Sequence, residues 1–244
     1  MRNIRLDLCY DGTRYNGWQR QKVHDNTIQG KIETALSRIL EEPIEISASG
    51  RTDTGVHARG QVANFHTENQ MDCAALLEQL RRYLPEDIGV YSCREVSPRF
   101  HSRLNALEKT YQYRVWNSRM PCVFDRRFVA EFPEALDVDA MQEAARLLLG
   151  THDFSAFCAN KKMKKSTVRT IKAFTVERVG EEIRFTVTGN GFLHNMVRIL
   201  VGTLIEVGRG ERNLESIPEL FGGKREQAGF LAPGKGLCLM EVRY

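Results

Sequence analysis

The chain of 244 residues carries 35 Lys and Arg against 31 Asp and Glu, a formal charge of +4, with 42% hydrophobic and 27% charged residues. That balance excludes an intrinsically disordered chain, and no apolar run approaches the roughly 20 residues of a membrane helix. The half-polar start Met1-Arg2-Asn3-Ile4-Arg5 has no secretory core, so a cytoplasmic location is expected, and the six cysteines show no C-x-x-C spacing that would suggest zinc or a redox pair.

Ile4, Leu6, Leu8 and Tyr10 alternate with polar neighbours, the period-two pattern of a half-buried strand. Apolar residues then recur at Ile28, Ile32, Ala35, Leu36, Ile39 and Leu40, which predicts a helix capped by Asn26 or Thr27 and ended before Pro43. Strands are expected near 44–48 and 61–67. A second helix capped by Asp72 runs through Leu76, Leu77, Leu80 and Leu84, and a strand follows around Ile88, Val90 and Val96.

The second half reads in the same order. A strand alternates through Tyr111, Tyr113 and Val115, a helix spans 138–149, and a hairpin turns at Gly180. An apolar helix follows over 193–207, a short helix over 214–220, and a last strand through Leu237, Leu239 and Val242, with the glycine-rich stretches 222–223 and 229–236 expected as a loop near the mouth of the cleft. Strand, helix, strand, strand, helix, strand, twice over, predicts an α+β chain of two ferredoxin-like halves, 1–104 and 105–244. Their strands are expected to form one extended, mainly antiparallel sheet with a catalytic cleft between the halves.

Residues 48–61, A-S-G-R-T-D-T-G-V-H-A-R-G-Q, hold a single carboxylate, Asp53, among Arg51, His57 and Arg59. A polar surface turn accounts for Gly, Ser, Thr and Asp, but this one is gripped by two predicted strands, where chemistry is often placed. Nearby arginines favour the ionised carboxylate. Arg198 sits within an apolar helix, where it either extends its head to the surface or pairs with a buried acid. Tyr111 and Tyr113 share a strand face, suited to core packing or to stacking on a base. His57 and His194 are candidate acid–base groups, set against the structural role that a lone histidine more often has. Lys161, Lys162, Lys164 and Lys165, followed by Arg169 and Lys172, form a basic run that suits either a solvated loop or phosphate contacts.

Taken together, Y-D-G-T-x-Y-x-G-W-Q-x-Q at 10–21, G-R-T-D-T-G-V-H-A-R-G-Q at 50–61, F-H-S-R at 100–103 and K-T-Y-Q-Y at 109–113 resemble the motifs of the tRNA pseudouridine synthase A family. V-R-T-I at 168–171, G-F-L-H-N-M-V-R at 191–198 and A-P-G-K-G-L at 232–237 extend that resemblance over almost the whole chain. It implies isomerisation of uridine to pseudouridine in the anticodon stem-loop of tRNA, typically at nucleotides 38 to 40, without a cofactor or metal, by a homodimer. By the resemblance Asp53 is the catalytic aspartate, Tyr111 the active-site tyrosine and Arg198 the partner of the aspartate. Leu237 lines the uracil pocket, and Arg51 helps displace the target base. Arg59, His57, Lys161, Lys162, Lys164, Lys165 and Arg169 are expected along the RNA. F-H-S-R-L-N-A departs from the more usual F-x-A-R-F-S-A, outside the core site. A non-catalytic RNA-binding protein on the same tandem fold is the competing reading.

Overall fold

The computed structural model describes residues 1–21, 26–160 and 165–244. They divide into two compact units, Met1–Leu107 with Leu239–Tyr244, and Glu108–Cys238. The protein is of mixed α and β structure, with strands paired mostly antiparallel.

In the first unit β1 (Arg2–Tyr10) is followed by α1 (Ile28–Leu40), β2 (Ser47–Ala48), β3 (His57–Thr67), α2 (Cys73–Tyr83) and β4 (Ile88–Val96). β1 lies between β3 and β4 and is antiparallel to both, with Ile4 opposite Phe65 and Leu6 opposite Cys93. Ile4, Leu6 and Leu8 point to the buried side and pack with Ile32, Leu36, Leu76 and Leu80 of the two helices, all at most 2% exposed. Thr27 caps α1, its hydroxyl accepting the Gly30 N–H at 3.2 Å, and Asp72 caps α2 through the N–H groups of Ala74 and Ala75.

Two boundaries differ from the sequence pattern. The expected strand 44–48 shrinks to β2, because the N–H groups of Ile44 and Ile46 bond the Ser37 hydroxyl and the Glu33 carboxylate of α1 instead of a neighbouring strand. β3 starts at His57 rather than near 61, since Ala58 pairs with Tyr10. The polar loop is therefore only residues 49–56.

The second unit contains β5 (Glu108–Trp116), β6 (Ala130–Glu131), α3 (Val138–Leu147), β7 (Gly150–Asp153), β8 (Val168–Val179), β9 (Glu182–Gly189) and α4 (Met196–Gly208). β9 pairs antiparallel with β5 and β8, β7 joins β8, and β6 runs parallel to the end of β5. Tyr113, Val115, Ile183 and Phe185 face a core shared with Met141, Ala144 and Ala145 of α3 and Ile199, Leu200 and Leu204 of α4. β6 and β7 carry no period-two apolar signal and were not legible as strands. The expected helix 214–220 is two 3-10 turns, Leu214–Ser216 and Pro218–Leu220, the second opened by a proline that cannot extend the first.

The last strand, β10 (Leu237–Arg243), ends within the first unit rather than in the second half. Its tail is anchored there by the Leu107 N–H to the Arg243 carbonyl at 2.8 Å and the Tyr244 hydroxyl to the Ser102 carbonyl at 2.7 Å. The Tyr244 ring also stacks against Arg5, whose Cζ is 4.6 Å from the ring centroid.

Candidate active site

Two clusters of the predicted residues stand out, one in each unit. In the first, the loop 49–56 is held from beneath by polar groups that a soluble turn would leave in water. Gln61 is fully buried; its carbonyl accepts the Ser49 hydroxyl at 2.7 Å, and its amide donates to the Gly50 carbonyl at 3.0 Å and to the Tyr10 hydroxyl at 3.3 Å. Tyr10 and Thr52 share a hydroxyl hydrogen bond of 2.8 Å. A strap crosses the loop from the other side. The Trp18 N–H donates to the Thr52 carbonyl at 3.0 Å, while the carbonyls of Gly17 and Trp18 receive the first N–H groups of α1, from Ile28 and Gln29. Trp18, 2% exposed, packs on Tyr10 with ring centroids 6.0 Å apart.

Asp53 follows directly on this clamp. Its carbonyl accepts the Val56 N–H at 3.1 Å across the Thr54-Gly55 turn, and the residue is half-buried. Arg51 and Arg59 flank it in sequence, and both are exposed. A carboxylate on so rigid a loop needs little reorganisation to act.

His57 lies inside the first unit rather than on its surface. It is 4% exposed, and its Nδ1 accepts the Gly12 N–H at 3.0 Å. That bond requires an unprotonated Nδ1, so the nearby Asp11 oxygen at 3.2 Å is not an ion-pair partner in this state. His57 braces the loop from below.

In the second unit, Arg198 lies in the first turn of α4, behind Asn195, which opens the helix with φ of +61°. A cation there opposes the helix dipole. It is held by specific acceptors: Nε donates to the Ala232 carbonyl at 2.7 Å and Nη1 to the Asn195 side chain at 3.2 Å. The Ala232 N–H bonds back to the Arg198 carbonyl at 3.3 Å.

The stretch 229–236, expected as a loop, is a loop tied down along its length. The Gly229 N–H donates to the buried Thr203 hydroxyl at 2.9 Å, the Phe230 N–H to the Glu206 carboxylate at 3.1 Å, and the Tyr113 hydroxyl to the Pro233 carbonyl at 2.8 Å. Gly236 packs on the Tyr113 ring, and the chain then delivers Leu237, 6% exposed. Burial raises the Tyr113 phenol well above the usual tyrosine value, so this hydroxyl stays a donor. Tyr111, two residues earlier on the same face, is 8% exposed and meets Phe192 edge-on at 5.3 Å. The two strand tyrosines are therefore distinct: Tyr113 is a structural clamp.

Arg169 is half-buried beside Gly191, its Nη1 bonded to the carbonyls of Ser166 and Val168 at 2.9 and 2.6 Å. Burial holds its guanidinium below the usual arginine value. Lys165 is exposed, and Lys161, Lys162 and Lys164 lie outside the described residues. His194 is exposed at the start of α4. Among the described residues no group of three His, Cys, Asp or Glu could hold a metal ion. The supports missed by sequence reasoning, Gln61, Thr52, Gly17, Asn195 and Thr203, are small or neutral polar residues whose value appears only in their partners.

A model of the tRNA pseudouridine synthase family matches residues 9–104 and 144–244. The chain belongs to this family. Curated members named tRNA pseudouridine synthase A align over 245 positions that cover all of this chain and all of each relative. Those from Bacillus sp. (strain KSM-64), Clostridium tetani (strain Massachusetts / E88) and Brevibacillus brevis (strain 47 / JCM 6285 / NBRC 100599) are 46%, 45% and 44% identical. Both the strapped carboxylate loop and the clamped arginine of this tRNA pseudouridine synthase lie within the residues that the family model matches. No described helix is long and apolar enough to cross a membrane.

Proposed function

We propose that this protein isomerises uridine to pseudouridine in the anticodon stem-loop of tRNA, typically at nucleotides 38 to 40, with Asp53 as the catalytic carboxylate. The observation that carries this reading is the half-buried carboxylate residue Asp53 on a loop fixed by the Gly17-Trp18 strap and the Gln61 network, in a chain of the tRNA pseudouridine synthase family. In the reaction the bond between N1 and C1′ breaks, the uracil turns, and C5 bonds to C1′. C5 then gives up its proton and N1 gains one, so the nucleotide keeps its composition.

Asp53 acts either by attacking the sugar at C1′ or by removing a proton at C2′. Both roles need the ionised form, and Arg198 supplies the positive charge that favours it. Tyr111 stacks on the uracil and assists loss of the C5 proton, and Leu237 supplies an apolar wall. A uridine in a stem must leave the helix at a cost of a few kcal/mol. Arg51 assists that displacement, and Arg59, Lys165, Arg169 and the lysines at 161, 162 and 164 contact phosphates. The enzyme works in the cytoplasm as a homodimer.

The test is pseudouridine mapping in tRNA treated with the protein and with Asp53→Asn. Wild type is expected to form pseudouridine and the variant to form none while still binding tRNA. Binding without pseudouridine by the wild type would instead support the non-catalytic RNA-binding reading. For Arg198→Met a folded protein with little activity is expected, and near-normal turnover would remove the arginine from the mechanism.

A further inference from the structure

A hollow of about 350 Å³ lies on the helical side of the first unit, between α1 and the C-terminal end of α2. Its polar lining is Arg20, Lys31, Thr34, Arg38 and Tyr83, and among the described lining residues there is no carboxylate. Lys31, Thr34 and Arg38 share one face of α1 by helical spacing. Gly30 and Ala35 keep the floor low.

The cations are not merely scattered on a solvated helix. Arg20 is oriented by its own backbone N–H, which donates to the Gln29 side chain at 3.0 Å, and by Nη1, 3.3 Å from the buried Glu33 carboxylate. Glu33 is itself held by Gln29 and the Ile46 N–H. The Arg38 guanidinium rests over the exposed Tyr83 ring, Cζ 4.9 Å from the centroid, which orders a side chain that would otherwise be mobile. Glu33 already neutralises Arg20, so Lys31 and Arg38 are the cations that repel one another across the hollow, and an anion held there relieves that repulsion. Two guanidinium forks, an ammonium and a hydroxyl suit the oxygens of a phosphate.

Position selects the source of that phosphate. The same backbone bonds that hold the Asp53 loop, Trp18 to Thr52 and Gln29 to Trp18, run directly into the first turn of α1 and so to Arg20. Arg20 on the wall of the hollow thus lies two residues beyond Trp18, whose N–H holds the Asp53 loop.

We propose that the α1–α2 hollow is a phosphate subsite for the RNA substrate, taking a backbone phosphodiester outside the reacting nucleotide. It rests on the tRNA reading above. Such a contact adds affinity and register without touching the chemistry.

The experiment compares wild type with a Lys31→Gln/Arg38→Gln double variant. It measures tRNA Kd over a series of salt concentrations, and the rate of pseudouridine formation at saturating tRNA. The expected result is a slope of log Kd against log salt shallower by about 1, a Kd weakened by roughly five- to tenfold at moderate salt, and an unchanged saturating rate. Thr34→Glu, which adds an acid to the hollow at an exposed position, should weaken binding in the same direction. Arg81→Gln, on the outer face of α2 and paired with Glu78, is the charge control and should leave the slope unchanged. Wild-type slope and Kd in both hollow variants overturn the subsite, as does an equal loss in the Arg81 control. Absence of pseudouridine from wild-type reactions would overturn the enzymatic reading alone, because the salt slope still reports whether the hollow binds RNA.

Discussion

Gly17 has φ of +81°, and a Cβ there would lie 2.7 Å from the Thr52 carbonyl oxygen and 3.1 Å from the Asp53 carbonyl carbon. Both the left-handed backbone and the contact demand glycine. Gly17→Ala should cost about 2 to 3 kcal/mol, a fall in Tm of roughly 5 to 10 °C for a chain of this size. Its loss of activity should exceed what the unfolded fraction explains, because the displaced atoms adjoin Asp53. Thermal unfolding and turnover measured at a temperature where the variant is folded separate the two effects. Equal activity per folded molecule would show that the strap does not position the carboxylate. Sequence singled out Asp53 and its arginine neighbours and left His57 between a structural role, acid–base chemistry and an RNA contact; the Gly12 N–H on its buried ring nitrogen favours the structural role.

At the scale of elements, α4 and the stretch 229–233 behave as one piece. Gly202 faces the Phe230 carbonyl so closely that a Cβ would sit 2.0 Å from its oxygen. One residue on, Thr203 passes a hydrogen bond from the Gly229 N–H to the Ile199 carbonyl. Gly202→Ala should push the stretch off the helix, breaking the Arg198 to Ala232 bond, and cost about 1 to 3 kcal/mol or more. Hydrogen exchange should show faster exchange at Gly229, Phe230 and Ala232, with activity falling alongside. Native protection at those amides would contradict the clamp. Helices α1 and α2 were legible because their apolar spacing and their caps, Thr27 and Asp72, agree. The region 44–46 was misread because its apolar residues are buried while their amides bond side chains, a choice that periodicity does not record.

For the molecule as a whole, pH stability has two edges. Burial raises the phenols of Tyr15 and Tyr244 in the first unit and Tyr113 in the second, with the Asp87 carboxylate adding to the effect on Tyr15. A group whose folded pKa is raised stabilises fully below its unfolded value, so stability should decline once pH passes about 10 and the unfolded chain ionises first. The acid edge has the opposite sign. Glu182, 7% exposed, is held below the usual carboxylate range mainly by hydrogen bonding to Arg114, with Arg184 adding to it. Its contribution is present above roughly pH 4.3 and is lost as pH falls through the lowered folded value. Urea midpoints across pH should fall at both ends, and Glu182→Gln should cost roughly 1 to 3 kcal/mol at neutral pH while softening the acid edge. An acid edge identical to wild type would mean other carboxylates set it.

What the amino-acid sequence determined by itself was the α+β class, the main strands and helices, and the residues of the family motifs. Alternation and helical spacing are local records of which face is buried, and motif order survives in one dimension. Tertiary structure alone decided that the polar loop is only residues 49–56, that the glycine-rich stretch is clamped to α4, and that β10 ends in the first unit. It also decided that Tyr113 and His57 are supports and that Arg20, Lys31 and Arg38 converge on one hollow. These outcomes depend on hydrogen-bond partners and close approaches between residues far apart in the chain, and a local pattern carries no record of them.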